Sequence, residues 1–215
     1  MKLRLALLFI PAALAAAEFQ FPSPLRHPII AATSEEISRV KKALASEGED
    51  REIIRRFLAD AESRTVATLD FPPRGGAHEQ NYQCPKHQLK LRTIDATHHR
   101  CPVDGEEFSG APFDDVLFTG RHIDLMKTAR ICAWAWLLTG DKKHLDRSRE
   151  VLLGYAERYL VYPYHDNFGR QSISGGHILD QTLDEAVYAT SEIAPAFDLL
   201  EPALSADDKN KIREK

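Results

Sequence analysis

Leu137-Leu138-Thr139-Gly140-Asp141-Lys142-Lys143-His144-Leu145 is the stretch whose reading decides the fold. On its N-terminal side Leu125, Ala129, Cys132, Ala133 and Trp136 recur at helical spacing and line one face. Gly140 ends that helix, because glycine tolerates the left-handed conformation of a helix end. Asp141 starts the next helix, whose Leu145, Leu152, Tyr155, Ala156 and Tyr159 form another apolar face. Two amphipathic helices with so short a connection run antiparallel and share a core.

The same grammar extends in both directions. Upstream, Ser34 is read as a helix cap with Glu35 and Glu36 in the first turn, and Ile37, Val40 and Leu44 as the apolar face. After a polar break at residues 46–50, Ile53, Ile54, Phe57, Leu58 and Ala61 mark a second helix, giving another hairpin. Downstream, Gly175-Gly176-His177-Ile178-Leu179-Asp180-Gln181 leads into a helix expected from about Thr182 to Leu200. Ser205-Ala206-Asp207-Asp208 then opens a helix that runs to Lys215 without a closing glycine or proline. The expected fold class is all-α: stacked antiparallel hairpins over residues 34–215, interrupted by a small Cys/His-containing insert at 71–113. A longer protein is expected to continue past Lys215. The last helix pair would then lack a partner and leave Val187, Ile193, Leu199 and Ile212 unusually exposed.

The N-terminus reads as an export signal. Lys2 and Arg4 precede the apolar run Leu5–Leu14, and Ala15-Ala16-Ala17 offers a cleavage site. Residues 1–17 are therefore assigned to a signal peptide, and 18–33, with Phe21-Pro22-Ser23-Pro24 and His27-Pro28, to an extended leader. The mature chain is expected to be periplasmic or secreted, with no membrane association. Cleavage removes Lys2 and Arg4 and takes the formal net charge from −4 to −6. An acidic chain without a basic stripe is not built to bind nucleic acid.

The insert carries Cys84-Pro85-Lys86-His87 and Cys101-Pro102-Val103-Asp104-Gly105. Each half has the spacing of a zinc knuckle, in which a tight turn aims two side chains at one ion. The expected structural zinc set is Cys84, His87 and Cys101 with one of His98, His99 or Asp104. Imidazole is preferred over carboxylate, so the fourth ligand is expected to be His98 or His99, with His99 taken into the set. A Cys84–Cys101 disulfide, or a site now held by packing alone, stay open as alternatives. Leu89-Lys90-Leu91-Arg92 alternates and reads as a short strand, and Cys132 belongs to the core.

Three segments together resemble the heparinase II/III-like and alginate lyase-like polysaccharide lyases. They are Tyr82–Gly110 with its paired Cys-Pro turns; the helices around Ala129-Arg130, Leu137–Asp141 and Tyr155–Tyr159; and Gln181–Val187 running on to Ala196–Leu200. The resemblance implies the N-terminal part of an incomplete (α/α) toroid, followed in longer members by β-sheet domains. It implies β-elimination on a uronic-acid polysaccharide such as alginate or a heparin-like chain. In that reaction fixed donors stabilise the carboxylate while a base removes the neighbouring proton. The family's catalytic Asn-His segment and Tyr fall beyond Lys215, so no catalytic residue is assigned within the chain. Gln181 and Glu185 match a family motif best. With His177 they are the expected substrate-binding residues, beside a loop carrying His165, Asp166, Asn167 and Arg170. The competing readings are a carbohydrate-binding helical module without chemistry and a toroid glycoside hydrolase. The latter needs a flanking pair of carboxylates, and adjacent Asp184 and Glu185 project about 100° apart on a helix.

Overall fold

The computed structural model describes residues 26–214. The signal segment and the leader as far as residue 25 lie outside the described residues, as does Lys215. The helices are α1 (Ser34–Ala45), α2 (Glu49–Val66), α3 (Phe113–Thr139), α4 (Lys142–Arg158), α5 (Thr182–Tyr188), α6 (Ala194–Leu200) and α7 (Ala206–Arg213). A π-helical turn, Ala189–Ile193, joins α5 to α6 in one rod, so six helical rods are present among the described residues.

The deciding stretch folds as read. Gly140 has φ 74° and its N–H donates to the Trp136 carbonyl at 2.7 Å, while Asp141 accepts from the Lys143 N–H at 3.1 Å. The 27-residue α3 is the central element, with α2, α4 and α6 all packed on it. Its Leu125, Met126, Ala129 and Ala133 meet Val151, Leu152 and Tyr155 of α4 and Ala196, Leu199 and Leu200 of α6 in the main core. Alanines at 129, 133 and 135 are fully buried and let neighbouring helices come close. Ahead of α1 the cap is Thr33, one residue before the expected Ser34. Thr33 and Glu36 form a reciprocal capping box, with the Thr33 N–H 2.8 Å from Glu36 Oε2.

The fold is mostly helical, and the insert adds a small sheet to the all-α expectation. Strands β1 (Arg92–Thr93), β2 (His99–Arg100) and β3 (Glu107–Phe108) pair antiparallel in that order. The strand expected at Leu89–Arg92 is displaced: Lys90 makes only an isolated bridge to Gln83, and pairing begins at Arg92. Leu91 turns inward onto Tyr82, Cys84 and Cys101, a core of its own. Of the four residues expected on an unpartnered face, Val187 is half exposed, Ile193 and Ile212 are partly covered, and Leu199 is buried. Leu199 corrects the expectation, since it belongs to the α3–α4–α6 core. Among the described residues no helix is long and apolar enough to cross a membrane.

Candidate functional site

Two glycine pairs meet where the insert begins and where α5 is approached. The Gly76 N–H donates to the Ile178 carbonyl at 2.8 Å, and His165 and Gly176 exchange two backbone hydrogen bonds at 3.0 Å. A Cβ on Gly75 would lie 2.3 Å from the His177 carbonyl oxygen, and one on Gly176 would lie 2.4 Å from that of Leu179. Neither position has room for a side chain, so glycine here is a packing requirement. The close approach turns the N–H groups of Ile178 and Leu179 toward α5. Glu185 Oε2 accepts both, at 2.6 and 3.0 Å, while Oε1 accepts the Tyr159 hydroxyl at 2.6 Å. Burial first, and the Glu185 carboxylate second, push the Tyr159 phenol well above its ordinary range.

Glu185 therefore ties the glycine turn to α4 with both carboxylate oxygens in use. Glu185→Gln keeps one acceptor but sets an NH2 group against donors, and we expect it to destabilise the chain by about 2 kcal/mol. Urea unfolding measures this, and a change below about 0.5 kcal/mol would contradict the tie.

His177 stands beside this junction. Its Nδ1 lies 2.7 Å from the Tyr162 carbonyl oxygen. A carbonyl only accepts, so Nδ1 carries the hydrogen. The ring packs against Tyr159 at 4.9 Å and Tyr164 at 5.2 Å between centroids. The result is a half-buried group of two phenols and an imidazole above the Glu185 carboxylate. Tyr159 and Glu185 also line a cleft of about 230 Å³ whose walls include Met126, Leu152, Ile193 and Ile212.

Gln181 lies elsewhere. It is the residue before α5, its side chain makes no capping bond, and it lines a different cleft with Asn167, Ile173 and Ser174. His177 and Glu185 thus meet through Tyr159, and Gln181 does not join them. Asp166 is a loop organiser: burial pushes its carboxyl up, but the N–H groups of Arg170 and Phe168 and the Arg170 guanidinium outweigh this and hold it low. Asp180, which the sequence did not single out, is buried and accepts the His78 N–H at 2.6 Å. Burial raises its carboxyl above the usual value.

In the insert, Cys84, His87 and Cys101 converge, with ligand atoms all within 4.8 Å of one another, and this group could hold a metal ion. His87 Nδ1 is 3.5 Å from Cys84 Sγ and 3.3 Å from Cys101 Sγ. All three cysteines carry free thiols. The placement of His99 corrects the expected ligand set. Its Nε2 bonds Asp114 Oδ1 at 2.8 Å, its Nδ1 lies 2.7 Å from the Tyr82 hydroxyl, and the ring is fully buried. It is committed to stapling β2 onto the start of α3. His98 points to solvent and to Asp95 at 2.9 Å. The insert also reaches the loop of the first site, where Asn81 Nδ2 donates to the Asn167 carbonyl at 3.0 Å.

Known proteins match this chain in part. It is 37% identical over 78 residues to an alginate lyase of Stenotrophomonas maltophilia, covering 36% of this chain and 10% of that protein. It is 33% identical over 92 residues to an exo-oligoalginate lyase of Saccharophagus degradans, covering 43% of this chain and 12% of that protein. The chain is distantly and partially related to alginate lyases. The matched stretches span about a tenth of the length of these curated relatives. No protein-family model matches the chain.

Proposed function

We propose that this chain is the N-terminal part of an exported lyase that cleaves a uronic-acid polysaccharide by β-elimination. The observation that carries the reading is the partial match to two alginate lyases from different organisms. On this reading the hairpins belong to an incomplete toroid, β-sheet domains follow, and the protein works in the periplasm or outside the cell. The substrate is an acidic polysaccharide, alginate or heparin-like.

The residues have separate tasks in this proposal. His177 presents Nε2 beside the rings of Tyr159 and Tyr164. Aromatic faces suit the C–H surfaces of a sugar ring, and the imidazole edge suits a hydroxyl or carboxylate. Gln181 contributes from the neighbouring cleft, and Glu185 holds the turn that carries His177 rather than touching sugar. The acid–base pair that moves the proton is supplied by residues outside 1–215. The glycosidase alternative gains nothing from Glu185, whose carboxylate is already committed to two backbone donors and a phenol.

Two measurements test the proposal. Alginate oligosaccharide should bind residues 18–215, and His177→Ala should weaken that binding about tenfold, the cost of one lost hydrogen bond plus ring packing. The same fragment should give no ultraviolet absorbance from unsaturated uronate, while the uninterrupted reading frame should. Turnover by the fragment would move the active site to His165, His177 or Tyr188. Binding without turnover by the uninterrupted frame would replace the lyase with a carbohydrate-binding module.

A further inference from the structure

We infer that Cys84, His87, Cys101 and Asp104 form a four-coordinate structural zinc site assembled from two matching knuckles. The two halves fold alike. Each runs Cys-Pro-x-ligand and then turns through a residue with positive φ, Gln88 at 52° and Gly105 at 77°. In each the N–H of that residue returns to the cysteine carbonyl, Gln88 to Cys84 at 2.7 Å and Gly105 to Cys101 at 3.1 Å. Gln88 is the one non-glycine residue with positive φ among the described residues. A side chain is costly there unless the turn is needed. In the second turn the Val103 N–H points at Cys101 Sγ, 3.4 Å away.

Position three after each cysteine is then the equivalent ligand place. In the first knuckle it is His87, and in the second it is Asp104. Asp104 Oδ2 lies 3.7 Å from His87 Nδ1, beside the 3.5 and 3.3 Å separations from that nitrogen to the two sulfurs. Zinc bonds of about 2.3 Å to sulfur and 2.0–2.2 Å to nitrogen or oxygen, at tetrahedral angles, give ligand-to-ligand edges of roughly 3.3–3.8 Å. All three separations from His87 Nδ1 match those edges, while the spacing of under 4.8 Å between every pair of ligand atoms holds for Cys84, His87 and Cys101. Asp104 sits at the rim of the group, held by Lys86 Nζ at 3.0 Å and the Glu106 N–H at 3.1 Å. Two thiolates and a carboxylate around a dication leave one net negative charge, which the Lys86 ammonium is placed to balance. The rival ligands are occupied, as His99 is bonded at both nitrogens and His98 belongs to Asp95.

The site has a structural task. The apolar core of the insert centres on Tyr82, Cys84, Leu91 and Cys101, with Phe108 and Phe113 packed against it, a small core for a segment of this length. Zinc joining residues 84–87 to 101–104 fixes the register that delivers His99 to Asp114 and holds Asn81 against the 163–177 loop. Binding releases the thiol protons to solvent.

The test uses the full chain purified without chelator. Elemental analysis should find about one zinc per chain. Competition with a chelating dye should show Asp104→Ala binding zinc at least about tenfold more weakly and His98→Ala unchanged. Cobalt(II) should give the intense visible bands of a tetrahedral thiolate site. Cys84→Ser can fail by misfolding, so the wild-type chain is also stripped and reloaded. Zinc, and not magnesium, should restore the melting temperature. Three results would each overturn the inference: a zinc-free chain lighter by two hydrogens through a Cys84–Cys101 disulfide, undiminished zinc affinity in Asp104→Ala, or zinc lost in His98→Ala.

Discussion

Replacing Asp198 with alanine is expected to lower the free energy of unfolding by about 3–5 kcal/mol. This α6 residue is 1% exposed and gathers the segment ahead of α1. Its Oδ2 accepts the N–H groups of Ile29, Ile30 and Ala31 at 2.8, 2.7 and 2.9 Å, and its Oδ1 lies 2.6 Å from His27 Nδ1. Burial alone would raise its carboxyl, yet the Ala31 N–H, His27 and the other two N–H groups keep it below the usual range. Alanine would strand three backbone donors at once. Ile29 and Ile30 are themselves exposed, so water can reach part of what is lost, which places the estimate well under the sum of separate bonds. Asp198→Asn keeps one acceptor and should cost about half as much. Urea unfolding gives the magnitude, and amide exchange at residues 29–31 gives the place. A loss under about 1 kcal/mol with unchanged exchange would mean that the leader is not docked by this carboxylate.

Nothing in the sequence announced that tether, because an aspartate in a helix reads as a solvated residue until its partners are known. What was legible had a local cause. Gly140-Asp141 fixed a helix end and a helix start within two residues, and the hairpin followed. The cap of α1 moved only from Ser34 to Thr33, where Glu36 could complete the box. The expected strand at Leu89–Arg92 had the right alternation, but Leu91 was drawn to the cysteine core and pairing slid to Arg92. The π turn at Ala189–Ile193 has a local cause in the sequence as well. Pro195 in the first turn of α6 has no N–H for the Ser191 carbonyl, and the rod widens just before it.

The sites divide similarly. Chemistry favoured imidazole as the fourth ligand, while the repeated turn favoured Asp104. The repeat was visible in Cys84-Pro85-Lys86-His87 and Cys101-Pro102-Val103-Asp104, but the hydrogen bonds that withdraw His99 were not. At the other site the family motif points to Gln181 and Glu185, with His177 beside them, and the glycine turn brings His177 and Glu185 to the same Tyr159. Gln181, four residues before Glu185, sits outside the first helical turn and faces another cleft. The sequence places Tyr159 on an apolar helix face and Tyr164 five residues further on. Only the tertiary approach of the 163–177 loop to α4 makes them walls around His177.

Acidification from pH 7 to about 4 is expected to remove about 3 kcal/mol of stability, chiefly through His122. This α3 residue is fully buried. Its Nε2 donates to the Arg74 carbonyl at 3.0 Å and its Nδ1 faces the Tyr155 hydroxyl at 3.0 Å. Burial lowers its pKa from 6.5 to about 4, only partly offset by the Arg74 carbonyl and Glu185. The unfolded chain therefore binds a proton near pH 6.5 and the folded chain only near 4. Between those values the unfolded state holds more protons, so stability rises with pH across the window and is lost as pH falls through it. His144 is also lowered, by burial first, and adds in the same direction. His98 is raised by Asp95, so its contribution has the opposite sign, being lost as pH rises; it lies in solvent and counts for little. Asp166 and Asp198, both held low, lose their contribution only at more acid pH. The measurement is urea unfolding at steps from pH 7.5 to 4, on the wild type and on His122→Gln. The variant keeps a donor and an acceptor but cannot titrate. It should be less stable at pH 7 and nearly flat across the window. An equally steep profile in the variant would show that the acid sensitivity comes from another group, and that the buried His122–Tyr155 pair is not where this fold meets its lower pH limit.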